Sequence, residues 1–345
     1  SITNGTSILK PTLRIYHPRY EKELRASRIY SLGRYPLLMN KPDSIKVVVE
    51  NVGKKAVTNQ KVYLEVSGAN TYEDSVVISS IQPYTEQFVY FSRYQPTNNG
   101  TEALNVKIDT DGDTTNNRIT KNRLVNYNVY SHADPFRPND GGIGFNGATG
   151  DFVAKFYVDG TSFINQIKVD FNLAGRDFQL GVWDVDSATG LPGNLLFISD
   201  SLITISGTYI LPVLPRIRVE DAYYVGIRQT GTTNVAFSFQ WERPIRPNSF
   251  YFAAPAGDSS WTPFSPGFDF NFNIQPRLQV ANDLAVWDML SPQPNDSILY
   301  DENDSLEIEA AFINYGFLDQ RFFNVNYEIR NRFNQQVYSS TRTIS

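Results

Sequence analysis

Cysteine is missing from the 345 residues, and histidine and methionine occur only twice each. That excludes a disulfide framework and any thiol nucleophile. The two histidines, His17 and His132, stand outside any H-E-x-x-H-like spacing, so neither a histidine metal centre nor a catalytic triad is expected. No apolar run approaches the roughly 20 residues that cross a bilayer as a helix, and no membrane span is predicted. The excess of one charge sign over the other is small as well. The net charge is −5 and the basic residues are scattered, which leaves no nucleic-acid footprint. No long stretch carries apolar residues at the i, i+3, i+4, i+7 positions of an amphipathic helix.

Aromatic and β-branched residues are plentiful instead. There are 23 Phe and 20 Tyr, and aromatics make up 14% of the chain. Such side chains suit pleated, half-buried surfaces, so the predicted class is all-β, arranged as tandem sandwiches. The run Asp43-Ser-Ile-Lys-Val-Val-Val-Glu-Asn-Val-Gly53 puts Ile45, Val47 and Val49 on one strand face and ends in a turn at Asn51 and Gly53. Further strands are predicted at Lys61–Val66, Asp74–Ile81, Glu86–Tyr90, Ala103–Ile108 and Arg118–Val125. This spacing over about 100 residues describes an immunoglobulin-like sandwich, here residues 23–130.

From Ser131 the texture changes. A Gly/Pro/Asn-rich stretch, Asp134 to Gly147, precedes longer aromatic strands, and residues 131–281 are predicted as a jelly-roll-like sandwich. Residues 282–345 then repeat the first module. Ile45-Lys-Val-Val-Val-Glu-Asn-Val-Gly53 matches Ile308-Glu-Ala-Ala-Phe-Ile-Asn-Tyr-Gly316, and Lys61–Val66 matches Asn324–Ile329. Asn51 and Asn314, Gly53 and Gly316, and Val66 and Ile329 are each 263 positions apart. The third segment is therefore read as a second, incomplete immunoglobulin-like domain. A shorter echo, Pro11-Thr-Leu-Arg-Ile15 with Pro276-Arg-Leu-Gln-Val280, assigns residues 1–22 to the end of a preceding module or a linker.

Two features within Arg28–Val125 carry a family resemblance: Val48-Val-Glu-Asn-Val-Gly53, and the exit Asp109-Thr-Asp-Gly-Asp-Thr-Thr-Asn-Asn117. On these the block resembles the CARDB class of bacterial immunoglobulin-like domains. Residues 131–281, with Gly190-Leu-Pro-Gly193 and Tyr223-Tyr-Val-Gly226, look like a module of Bacteroidota surface proteins. Glu307–Thr343 looks like the domain that precedes sorting signals in such proteins. The resemblance implies an extracellular or surface-attached protein exported by the type IX route.

The chemical candidates are few. Asp109, Asp111 and Asp113 alternate as the oxygen ligands of a calcium loop do, yet Thr114 and Thr120 stand where that loop needs its glycine and its bidentate glutamate. A polar turn is the competing reading, and calcium is the one cofactor entertained. Asp184 and Asp186 point to one side of a strand but enter a Gly-rich turn. Trp183, Trp241 and Trp261, with Tyr251, offer either sugar-stacking surface or sandwich core. Asp precedes Ser44, Ser75, Thr114, Ser187, Ser201, Ser297 and Ser305, a pattern that resembles the O-glycosylation sequon of Bacteroidota. No catalytic residue is identified. The predicted role is a non-catalytic structural or adhesive segment whose partners are neighbouring copies or modules. The alternative is a polysaccharide-binding accessory region of a secreted hydrolase.

Overall fold

The computed structural model describes residues 20–109, 111–292 and 307–344. In chain order the strands begin with β1 (Leu24–Tyr30), β2 (Arg34–Pro36), β3 (Lys46–Asn51), β4 (Val57–Gly68), β5 (Tyr72–Ile81), β6 (Glu86–Tyr90), β7 (Gly100–Ile108) and β8 (Arg118–Asn126). A single turn of 3-10 helix, Leu37–Met39, is the only helix among the described residues. The chain divides into two compact units. One holds residues up to 31, 42–94 and 101–122; the other holds 32–41, 95–100 and the chain from 123 onward. A cut at residue 130 therefore does not follow the units, because the end of β8 belongs with β2, which pairs with it in parallel from Arg34↔Leu124 to Pro36↔Asn126.

The first unit is a sandwich of two antiparallel layers, β1-β3-β6 and β8-β7-β4-β5. Its core follows from period-two patterning: Val47 and Val49 of β3, Val62, Leu64 and Val66 of β4, and Leu104, Val106 and Ile108 of β7 are all buried. Lys61 and Glu65 alternate outward. Strand β1 is absent from the sequence-based expectation. A bulge between Ala26 and Arg28 breaks its alternation, so the two-residue period does not survive in the sequence.

The second unit continues with β9 (Gly141–Ile143), β10 (Gly150–Phe171), β11 (Asp177–Val185), β12 (Pro192–Ile198), β13 (Leu202–Ile203), β14 (Gly207–Gln229), β15 (Phe237–Trp241), β16 (Phe250–Ala253), β17 (Thr262–Pro263), β18 (Phe270–Phe272) and β19 (Ile274–Gln279). These form one 11-stranded sheet that curls on itself. The long strands β10 and β14 pair along nearly their whole length, with register shifts at Tyr157/Thr161 and Ile164/Gln166. The first half of β10 also pairs with β16 and its second half with β19, so two strands share its other edge. Phe156, Phe171, Phe178, Tyr223, Phe237, Phe250 and Phe272 fill the interior. The start of β14 is hard to read from the sequence, because Pro212 and Pro215 lack the N–H a ladder uses.

The last strands are β20 (Leu284–Ser291), β21 (Glu309–Asn314), β22 (Phe323–Arg330) and β23 (Gln336–Ile344), arranged as two separate pairs. They reproduce the first sandwich in register. Leu24 pairs with Asn51 and Leu284 with Asn314; the bulge at Ala26/Arg28 recurs at Val286/Asp288. Strands equivalent to β6, β7 and β8 do not occur among the described residues. Val49 is fully buried, whereas its counterpart Phe312 is 36% exposed.

Candidate functional site

The turn after β3 shows how the repeat is built. Asn51 is buried, donates through Nδ2 to the carbonyls of Lys55 (2.9 Å) and Ile81 (2.9 Å), and accepts the Gly53 N–H at 3.0 Å. Asn314 donates to the Leu318 carbonyl at 2.8 Å and accepts the Gly316 N–H at 2.9 Å. Glycine is required at both places. A Cβ on Gly53 would lie 2.6 Å from the Glu23 nitrogen, and one on Gly316 would lie 2.6 Å from the Ala281 carbonyl oxygen.

This turn sets the position of Glu23, whose carbonyl accepts the N–H groups of Val52 and Gly53. The Glu23 side chain, 4% exposed, faces the exit loop after β7. Its Oε2 accepts the Asp113 N–H at 2.7 Å and its Oε1 accepts Asn116 Nδ2 at 3.0 Å. Next along the chain, the Leu24 N–H donates to Asp111 Oδ2 at 2.6 Å. Burial raises the Glu23 carboxyl above its usual range, and the neighbouring Asp111 and Asp113 charges add to the rise. Asp113 Oδ1 is occupied in capping Thr115, through its N–H (3.0 Å) and its hydroxyl (2.6 Å).

The structure corrects the expectation of three alternating aspartate ligands. Asp109 is exposed and interacts with Tyr63 on the outer face of the sheet, so it does not join Asp111. Residues around an EF-hand ion converge only if the loop folds around it, and glycine at the sixth position is missing here. Among the described residues no three His, Asp or Glu side chains converge closely enough to hold a metal by themselves. Glu23 was not legible as a site residue, because 86 or more residues separate it from the loop it meets.

The tryptophans do not form one platform. Trp183 is 3% exposed and lies across Gly181 of its own strand, where a Cβ would sit 2.3 Å from the indole. Trp183 and Trp261 meet edge to face at 5.9 Å in a small cluster with Tyr224 and Tyr251. Trp241 belongs to a different group, with Phe270 at 4.8 Å and the Arg243 guanidinium over its ring at 3.9 Å.

His132 is buried and structural. Its Nδ1 faces Arg246 Nη1 at 3.1 Å, so that nitrogen accepts and Nε2–H donates to the Lys155 carbonyl at 2.7 Å. Arg246 in turn forms a buried pair with Glu242. His17 lies outside the described residues. Asp184 holds Asn194 and Asp186 caps the turn at Ala188 and Thr189, so both acids organise the hairpin end. Of the seven Asp-Ser/Thr sites, Ser44, Ser75, Thr114, Ser187 and Ser201 are exposed. Ser297 and Ser305 lie outside the described residues.

Comparison with known proteins bears on the first sandwich. Residues 31–126 match the CARDB family model. A solved CARDB domain from Pyrococcus furiosus, crystallised in complex with di-metal ions, is 23% identical over 32% of this chain and 91% of its own, with a TM-score of 0.28. The cysteine protease and lectin-like domains of Cwp84, a surface-layer-associated protein of Clostridium difficile, align over 64% of this chain and 58% of theirs, at 10% identity and a TM-score of 0.30. An alpha-L-rhamnosidase from Streptomyces avermitilis aligns over 90% of this chain and 30% of its own, at 10% identity and a TM-score of 0.20. No curated protein sequence matches the chain.

Proposed function

We propose that this chain, which carries a CARDB match over residues 31–126, is a non-catalytic structural or adhesive segment of a repetitive extracellular protein. The observation that carries the reading is the in-register repeat. The same bulge, the same asparagine turn and the same backbone bonds to an acidic residue, Glu23 or Asp283, recur at both ends of the chain. Alternation of one module with another is the arrangement of a stalk or array, in which each module contributes length and spacing rather than chemistry. The buried histidine and the acids committed to turns support the non-catalytic part.

The reading extends to export by the type IX route and to O-linked glycans on the Asp-Ser/Thr sites. Exposure of five of these hydroxyls supports the second point, since a glycan on an exposed turn displaces no core. Intact-mass measurement on protein from its native source should exceed the polypeptide mass by whole sugar units. A mass equal to the bare chain removes the glycan reading. Affinity electrophoresis against surface polysaccharides should show no retardation by the jelly-roll region. Saturable retardation, lost on substitution of exposed aromatic residues there, would replace the spacer reading with that of a carbohydrate-binding accessory region.

A further inference from the structure

The exit loop carries three buried side-chain oxygens with no donor among the described residues. Asp111 Oδ1, Asn116 Oδ1 and Asn117 Oδ1 are all shielded from solvent and have no hydrogen-bond partner among the described residues. Asn117 is itself 5% exposed, and its amide is turned into the loop, with Nδ2 on the Asp109 carbonyl at 3.1 Å. The existing bonds bring the set together. Asn116 is held by Glu23 Oε1 and Asp111 by the N–H of the adjacent Leu24. Neither the Glu23 nor the Asp111 carboxylate forms an ion pair among the described residues.

Such a region has too many acceptors and too little positive charge. Each buried acceptor without a donor forfeits the hydrogen bonds water would give it, and two neighbouring carboxylates repel. A hard cation with oxygen ligands removes both deficits at once. Calcium takes about 6–8 oxygens and accepts amide and backbone carbonyls beside carboxylates, so it does not need three acids. Zinc prefers nitrogen and sulfur, and this set contains neither His nor Cys. We propose that the exit loop of the first sandwich binds one calcium ion, with Glu23 and Asp111 supplying charge and the Asn116 and Asn117 amide oxygens completing the ligand set. The ion would cross-link β1 to the loop after β7. Asp283 occupies the place of Glu23 in the repeat and also has a buried oxygen, Oδ2, without a partner among the described residues.

The test uses the full chain, stripped of metal and titrated with calcium chloride by calorimetry and by thermal unfolding. One ion per first sandwich and a rise in Tm are expected. Asp111→Asn should weaken binding at least tenfold, and Glu23→Gln should do the same. Asp109→Asn, placed on the outer sheet face, should change affinity less than twofold. Should Glu23→Gln fail to fold, Asp111→Asn and Asp109→Asn decide the matter between them. The absence of binding heat and of a Tm shift in the wild type would overturn the proposal. So would equal weakening by Asp109→Asn and Asp111→Asn, which would describe diffuse attraction to an acidic loop.

Discussion

Asn51 and Asn314 perform one task in two settings. Asn51 makes three bonds in a closed core, whereas Asn314 makes two at an exposed turn. Asn51→Ala leaves two carbonyls and an N–H without side-chain partners in the buried turn, at a cost of about 3 kcal/mol. Asn314→Ala should cost less than about 1 kcal/mol, because water replaces what is lost. Urea unfolding of the two variants measures both, and equal losses would contradict the difference in burial. Glu23 supplies a pH test at the same scale. Its carboxyl is raised chiefly by burial, so it contributes stability while protonated, below the unfolded value of 4.5. That contribution is lost as pH rises through the higher folded value. In chelator, stability of the wild type should fall over this window. Glu23→Gln should remove the fall, as the Asn116 amide turns over to match the new donor, and Tm measured against pH reads the difference.

At the scale of elements, two glutamines hold the Gly/Pro/Asn-rich segment that the sequence marks as irregular. Gln229 donates to the carbonyls of Phe145, Ala148 and Gly231 and accepts the Phe145 N–H. Gln240 clamps Asp134 from both sides. Strand β11 depends on a glycine in the same local manner. Gly181→Ala would drive a methyl into the Trp183 ring, so a loss of about 1–3 kcal/mol is expected, together with a changed near-ultraviolet circular dichroism signal. An unchanged spectrum and Tm would show that the indole has room to move. Stretches with clean alternation, such as Lys61–Val66 of β4 and Ala103–Ile108 of β7, were readable because one face is buried and the other is more exposed. Strand β1 and the first half of β14 were not, since a bulge and two prolines break that pattern.

At the scale of the whole molecule, the repeat places one sequence pattern in two settings. Residues 46–66 lie in a sandwich with both layers present, while their counterparts at 309–329 lack the covering strands among the described residues. Amide hydrogen exchange should therefore be slower at Val47, Val62 and Leu64 than at Ala310, Val325 and Tyr327. Equal protection would mean that the second copy has found a cover. The sequence by itself determined the all-β class, the position of most strands, the internal repeat and the shared turn, because each is written in local alternation or in residues a few positions apart. Tertiary structure alone decided that Trp183 is core, that Asp109 leaves its neighbours, and that Glu23 joins Asp111 and Asn116. Those outcomes rest on contacts between residues 80 or more positions apart, or on which face a neighbouring strand covers, and no local period records either.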